Sequence, residues 1–167
     1  MGARVIAVAS SAEKCALCRE LGAAETIDYS AFKQPADMRE AIRVLTNGQG
    51  VDVVYDPVGG DLAEPVFRSM AWRGRYLVIG FAAGQIPSLP LNLALLKGAS
   101  LVGVFYGGFA KKEPLANAAL LKELASLYLK GQIKPVIHHQ LPMRELMQAY
   151  ELLQSRSILG KLVLVND

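Results

Sequence analysis

The sequence has little of what marks several protein classes. Its 167 residues include two cysteines, too few for a disulfide scaffold and typical of a reducing compartment. No apolar run approaches the roughly 18–20 residues of a membrane-spanning helix, and the first residues lack a signal-peptide layout. The net charge is +3, with scattered Lys and Arg, which argues against nucleic acid. We therefore expect a cytoplasmic protein with no membrane or nucleic-acid partner.

What the sequence does contain is an alternation of strand and helix patterns. The predicted strands are residues 4–9, 25–29, 51–56, 74–80, 100–106 and 161–165, with a short extended piece at 136–138. The predicted helices are residues 12–21 behind a Ser10 or Ser11 cap, 37–45, 62–71, 91–97, a long one from Pro114 to before Gly131, and 143–154. Apolar strands alternating with amphipathic helices favour an α/β fold, a doubly wound parallel sheet of the Rossmann-like kind. No linker or repeat interrupts residues 1–167, so one domain is the simplest organisation.

The Gly-rich phosphate loop of dinucleotide-binding folds is missing. In those folds G-x-G-x-x-G follows the first strand, and no such triplet follows a strand in this sequence. The run at residues 4–9 is typical of a second strand. We therefore expect the chain to lack the first strand–helix unit. The missing strand would leave two strand edges, and we expect closure of the sheet across the gap, a strand borrowed from another subunit, or poor solubility.

Three predicted strands end in small, turn-forming residues. These ends are residues 56–60, 80–84 and 105–108. Ligands of open parallel sheets lie beyond the carboxyl ends of the strands, and glycine lets the backbone approach a flat molecule closely. The ends predict a ligand groove, although glycine also simply terminates strands.

Hydroxyls and a cation follow the strand at residues 4–9. Ser10, Ser11 and Lys14 stand where an acidic residue would select NAD, and hydroxyls, backbone N–H groups and a cation suit the extra phosphate of NADP. Glu13 weakens the case for NADP, since its carboxylate could reach a ribose. The alternative is a Ser-capped helix with a solvated lysine.

Other suggestive residues favour structural roles. Cys15 and Cys18 form C-x-x-C, but they share a helix side with Leu21, which favours a buried apolar face over a redox or zinc site. His138 and His139 are neighbours on an extended segment and should point to opposite faces, which disfavours a shared metal.

The segments "GARVIAVASSAEK", "LGAAETIDY", "GVDVVYDPVGG", "GRYLVIGFAAG" and "GKLVLV" occur in this order. In this respect the chain resembles the zinc-independent quinone oxidoreductases of the medium-chain dehydrogenase/reductase superfamily, over essentially its whole length. The resemblance implies an NADPH-dependent reductase that passes hydride to quinones or other electron-poor acceptors. It also implies that the catalytic domain is absent, so that residues 1–167 form an incomplete NADPH-binding domain, inactive alone.

The resemblance also assigns residues. Ser10 and Lys14 would bind the adenosine 2′-phosphate, with Tyr29 at the adenine end. Val58 and Gly59 would border the adenosine and ribose, whereas Phe81 would approach the nicotinamide. The full predicted cofactor site is Ser10, Ser11, Lys14, Tyr29, Val58, Gly59, Gly80, Phe81, Phe105, Tyr106 and Lys161. No catalytic side chain and no metal ligand is predicted.

Finally, the family pairs two subunits through the strand that matches Ser100 to Tyr106. An apolar, uncovered edge of this kind tends to find a partner, so we expect a homodimer.

Two alternatives stay open for the function. One is a folded fragment or binding module without catalysis. The other is an enoyl or alkenal reductase of the same superfamily.

Overall fold

The computed structural model describes residues 2–166. They divide into two compact units, with the boundary between residues 107 and 108. The first unit contains β1 (Ile6–Ala9), α1 (Ala12–Glu20), β2 (Glu25–Asp28), α2 (Asp37–Leu45), β3 (Val51–Asp56), α3 (Ala63–Arg68), β4 (Met70–Val78), α4 (Leu91–Lys97) and β5 (Ser100–Gly103). The short α5 (Tyr106–Lys112) follows, and the second unit contains α6 (Pro114–Leu129), β6 (Ile137–Pro142), α7 (Leu146–Gln154) and β7 (Lys161–Val165).

All strand pairs are parallel, and helices alternate with strands, which confirms the predicted α/β class. The strands described form more than one sheet. The first unit has two sheets, β1-β2 and β3-β4-β5, and the second unit has a third, β6-β7. Within residues 2–166, β1 and β3 share no ladder, so closure of the sheet across the predicted gap does not occur.

Side chains of α2 join the two sheets of the first unit. Met38 and Ile42, one helical turn apart, are buried together with Ile27 of β2. Ile6 of β1 and Val51 of β3 both pack against this cluster. Each buried side chain of this size contributes about 1.5–3 kcal/mol, so apolar packing holds β1 and β3 near α2 without hydrogen bonds between them.

The second core cluster lies under the three-stranded sheet. Phe67 of α3, Tyr76 of β4 and Leu93 of α4 are buried there, with Ala63 and Met70 beside them. The rings of Phe67 and Tyr76 lie 5.8 Å apart, centroid to centroid. This cluster fixes α3 and α4 on the face of β4.

The helices begin and end where local chemistry requires. Ser11 caps α1 by accepting the Lys14 N–H through Oγ at 3.3 Å. The Asp37 carboxylate accepts the Lys33 N–H at 2.8 Å and opens α2, whose bounds match the prediction.

Leu21 caps the end of α1 and is 61% exposed. The predicted apolar face is therefore correct for buried Cys15 and wrong for Leu21.

The boundary between α3 and β4 differs from the prediction. The helix expected over 62–71 ends at Arg68, because the Ser69 carbonyl accepts the Val51 N–H at 3.1 Å and Met70 pairs with Val51. β4 therefore covers Met70–Val78 rather than 74–80. The pairing of Met70 with Val51 in the β-ladder is therefore more favourable than the helix that the local sequence pattern predicts for these residues.

The strand expected over 100–106 is also shorter. β4 ends at Val78, and its carbonyl accepts one last bond, from the Val104 N–H at 2.9 Å. With no partner strand beyond that point, β5 stops at Gly103 and Tyr106 begins α5. Gly107 thus lies in a helix and does not close the strand.

In the second unit, α7 contacts both β6 and β7. The pairing register shifts between Ile137 and His139. At this irregularity the rings of His138 and His139 lie 4.3 Å apart, centroid to centroid. The expectation that the two rings point to opposite faces is wrong, because a register shift interrupts the regular alternation of side chains. None of the helices described is long and apolar enough to cross a membrane.

Candidate functional site

The loop after β3 is built around one carboxylate. Asp56 Oδ1 accepts the N–H groups of Val58 and Gly59, at 2.8 and 2.9 Å. Gly59 and Gly60 both have positive φ, at 68° and 67°, a conformation that glycine adopts without steric cost. The side chain of Asp56 therefore sets the backbone course of two predicted site residues.

The loop after β4 is fastened to the loop after β3. The Asp56 carbonyl accepts the Gly80 N–H at 3.4 Å, and the Pro57 carbonyl accepts the Ala82 N–H at 3.1 Å. A Cβ at Gly59 would lie 3.0 Å from the ring of Phe81. The structure thus brings Val58, Gly59, Gly80 and Phe81 together, as predicted from strand order.

Tyr76 anchors this loop to the core. Its hydroxyl donates to Asp56 Oδ2 at 2.5 Å, while its side chain is only 3% exposed. Burial, followed by the hydrogen bond to the Asp56 carboxylate, raises the pKa of Tyr76 above its ordinary range. The phenol therefore stays protonated and donates to a carboxylate that the loop requires.

The residues after β1 also come together. Lys14 Nζ donates to Ser10 Oγ at 3.2 Å, one turn into α1. With Ser11 at the N-cap, a cation, two hydroxyls and the first turn of α1 form one cluster. Tyr29 follows β2 directly, and the register pairs Ala9 with Asp28, so Tyr29 and Ser10 occupy adjacent strand ends.

Phe105 and Tyr106 lie just past β5, beside the end of β4. Phe105 is 81% exposed and Phe81 is 40% exposed, so both rings present apolar surface at this edge of the sheet. Lys161 is the first residue of β7, in the second compact unit, where its N–H donates to the Val136 carbonyl at 2.8 Å. The structure gathers the other predicted residues at strand ends of the first unit and leaves Lys161 in the second.

Two residues of this site were missed by sequence reasoning. Asp56 was read as part of a turn-prone strand end, and Tyr76 as an interior strand residue. The signal for Asp56 is its position two residues before Val58 in Asp-Pro-Val-Gly-Gly, where an Asx turn is expected. Nothing in the sequence pairs it with Tyr76, twenty residues away.

The site presents groups that can hold an anion and a flat ring. Within residues 2–166 no group of three or more His, Cys, Asp or Glu could hold a metal ion. The donors of the cluster around Ser10 and Lys14 are hydroxyls, a cation and backbone N–H groups, which suit phosphate oxygens. The glycine-containing loops present backbone and the Phe81 ring, which suit a flat ligand.

Comparison with known proteins decides the family. The zinc-binding dehydrogenase family matches residues 1–123. The chain belongs to this family. A quinone oxidoreductase-like protein 2 from Bos taurus is 36% identical over 162 residues, which are 97% of this chain and 45% of that protein. A 2-haloacrylate reductase from a Burkholderia species is 30% identical, over 99% of this chain and 49% of that protein.

Solved structures agree with this assignment. The quinone oxidoreductase of Escherichia coli, complexed with NADPH, superposes with a TM-score of 0.84 at 28% identity, over 98% of this chain and 50% of that one. Mycobacterial Rv1454c, also complexed with NADPH, gives the same values. The predicted kinship with quinone oxidoreductases of the medium-chain superfamily is confirmed. The chain spans about half the length of the relatives it matches.

Proposed function

We propose that this chain is the NADPH-binding portion of an oxidoreductase that transfers hydride from NADPH to a quinone or a similar electron-poor acceptor. The observation that carries the proposal is the pair of preformed features at strand ends of the first unit. The first is the cluster of Ser10, Ser11 and Lys14. The second is the interlocked loops at Val58 and Phe81. Relatives described as quinone oxidoreductases support it, and so do the NADPH complexes of the Escherichia coli quinone oxidoreductase and of mycobacterial Rv1454c.

Each feature has a distinct role in the proposed binding. The Lys14 ammonium and the hydroxyl of Ser10, 3.2 Å apart, would bind the adenosine 2′-phosphate, and Tyr29 at the neighbouring strand end would border the adenine. Val58 and Gly59 would lie against the ribose. Phe105 and Tyr106 belong to the same proposed site, and Lys161 remains a proposed contact.

The chemistry of the proposed reaction is mainly positioning. NADPH, when bound, supplies the hydride. The protein groups hold the cofactor in place, and the exposed Phe81 ring and the Gly80 backbone would keep the nicotinamide against an apolar surface. In this proposal catalysis depends on holding the hydride donor and the acceptor in a reactive arrangement.

The first test is a titration of the purified chain with NADPH and with NADH, followed by nicotinamide fluorescence. We expect NADPH to bind more tightly. Lys14→Gln should weaken NADPH binding by about tenfold, the effect of losing one charge-assisted hydrogen bond, and should leave NADH unchanged. Arg19→Gln, an exposed cation in the last turn of the same helix, is the matched control. Equal, weak binding of both nucleotides would favour a folded fragment without cofactor function.

The acceptor needs a separate experiment. Oxidation of NADPH by a quinone panel and by electron-poor alkenes, measured on the full-length enzyme by nicotinamide absorbance, separates a quinone reductase from an enoyl or alkenal reductase. The Burkholderia relative, named for a haloacrylate, favours including alkenes. We expect this chain alone to be inactive, and we propose that the reaction is independent of zinc and takes place in the cytoplasm.

We also propose a homodimer through the free edge of β5. All four residues of β5 are exposed, and β4 is its one neighbour among the strands described. Leu101→Lys places a charge on the sheet at this edge, a device that blocks strand pairing. We expect sedimentation to show a dimer for the original chain and a monomer for the variant; a monomer for both would refute the proposal.

A further inference from the structure

A small cavity of the first unit lies at the opposite ends of the strands from the loops described above. Its walls are formed just before β3, β4 and β5, and its volume is about 160 Å³. Four cationic side chains line it: Arg39 and Arg43 of α2, Arg68 of α3 and Lys97 of α4. Among the residues described, no Asp or Glu lines this cavity. We refer to these four side chains as the basic pocket.

Helix geometry explains why the cations gather here. Helices that connect parallel strands run back across the sheet, so their carboxyl ends meet at the amino ends of the strands. Arg43, Arg68 and Lys97 each lie in the last turn of a helix, where the carbonyls favour cations. The carbonyls at these helix ends carry only partial negative charge, so they do not replace a full anionic partner for the cations.

Two of the four cations are neutralised by acids on their own helices. Arg43 donates to Glu40 through Nε and Nη2, at 2.7 and 2.6 Å. Arg68 is paired with Glu64, with an Nη2–Oε1 distance of 2.7 Å. Their charges are therefore largely compensated.

The other two cations, Arg39 and Lys97, line the same cavity, and neither is paired with an acid within residues 2–166. Lys97 Nζ donates to the Met70 carbonyl at 3.0 Å. Arg39 has no ion pair and no side-chain hydrogen bond within residues 2–166. Partial burial, followed by the charge of Arg39, lowers the pKa of Lys97. Like charges close together disfavour the charged form of each group, and an anion bound beside them would offset this effect.

We propose that the basic pocket binds a phosphate-sized oxyanion between Arg39 and Lys97. The cavity is smaller than the roughly 300–1,000 Å³ of sites for drug-sized ligands, so it suits a single tetrahedral group. The charges of both cations match a dianion, and the side chains supply several N–H donors at one place. The site lies apart from the proposed cofactor residues and does not depend on NADPH.

The test is a calorimetric titration of the chain with inorganic phosphate at constant ionic strength. The Lys14→Gln background removes any phosphate binding near Ser10. We expect saturable binding of one phosphate, with Kd raised at least about tenfold by Arg39→Gln or by Lys97→Gln, the loss of one charge-assisted hydrogen bond. Lys122→Gln, an exposed mid-helix cation in α6, should leave Kd unchanged. The absence of saturable binding, or an equal response of all three variants, overturns the proposal.

Thermal unfolding gives a second test, because Arg39→Gln should shift Tm in opposite directions without and with phosphate. Without phosphate, Arg39→Gln should raise Tm, because it removes the repulsion of Lys97. With saturating phosphate the same variant should have a lower Tm than the original chain, because it loses the bound anion. A lower Tm for Arg39→Gln in both conditions would show that Arg39 serves the fold rather than an anion.

Two sources could supply such an anion, a free phosphate or a phosphate ester. Titration with glycerol 3-phosphate distinguishes them. Binding as tight as that of inorganic phosphate would identify a pocket open to esterified groups, whereas binding more than about tenfold weaker would identify a site for the free ion. Weakened NADPH binding in Lys14→Gln, with phosphate binding intact, would separate this site from the proposed cofactor site.

Discussion

At the scale of single residues, Asp56 connects the interior of the first unit to its candidate site. One oxygen of its carboxylate accepts two loop N–H groups and the other accepts the buried phenol of Tyr76. Hydrogen bonds to a charged partner are worth about 1.5–3 kcal/mol each. These hydrogen bonds therefore fix the loop at Val58 to the core without the help of a ligand.

Substitution of Asp56 tests this role. Asp56→Ala leaves the N–H groups of Val58 and Gly59 without their acceptor, and we expect a loss of about 1–3 kcal/mol in the free energy of unfolding. Asp56→Asn keeps an acceptor oxygen and should lose less than half as much. Urea denaturation of both variants measures the difference. An alanine variant as stable as the original chain would show that the loop holds its course unaided.

Tyr76 should make stability depend on alkaline pH. Its pKa is raised in the folded state, so the folded chain holds the phenolic proton that the unfolded chain releases near pH 10. The contribution is complete below pH 10 and is lost above it, with a limiting slope of about 1.4 kcal/mol per pH unit. Tyr76→Phe should lack this slope. Denaturation at several pH values between 9 and 12 measures it; parallel curves for both proteins would contradict the prediction.

At the scale of elements, α2 carries more of the fold than its nine residues suggest. It is the helix against which both sheets of the first unit pack. Met38 is fully buried, whereas Val44 on the same helix is 59% exposed. The two positions offer a matched pair for measuring how much the buried stripe contributes.

We expect Met38→Ala to cost about 2–5 kcal/mol in the free energy of unfolding, through lost burial and the cavity left behind. Val44→Ala should cost less than about 0.5 kcal/mol, as at other exposed positions. Thermal or urea unfolding of the two variants measures both values. Similar losses at the two positions would mean that α2 does not link the sheets as described.

The bounds of a helix or strand could be predicted from the sequence where neighbouring residues determine them. The bounds of α2, β3 and α4 follow from apolar spacing and flanking turn residues. The ends of β4 and β5 could not be predicted, because pairing with Val51 and the end of the ladder at Val78 decide them. The same holds in the site, where strand order brought Gly59 and Phe81 together, but the bond from Tyr76 to Asp56 depends on tertiary structure.

At the scale of the whole molecule, hydrogen exchange should show unequal protection within the first unit. β4 is paired on both sides, whereas β1 has β2 as its one partner among the strands described. We expect the amides of β4 to exchange slowest, and those of β1 and β2 markedly faster, because sub-global opening needs less energy where fewer ladders must break. Exchange measured by NMR tests this. Equal protection in both sheets would indicate a single cooperative unit.

The split between β1 and β3 has a mechanical consequence. A β-ladder fixes two strands in one register through directional hydrogen bonds, whereas apolar contacts are non-directional. The β1-β2 pair is therefore attached to the rest of the first unit by a joint without a ladder, made of the apolar cluster at Met38 and Ile42 and the hydrogen bonds from Arg4 to the Leu45 carbonyl. Strain applied along the strands would be absorbed at this joint, and the spacing between Lys14 and the Val58 loop would vary more than either cluster does internally.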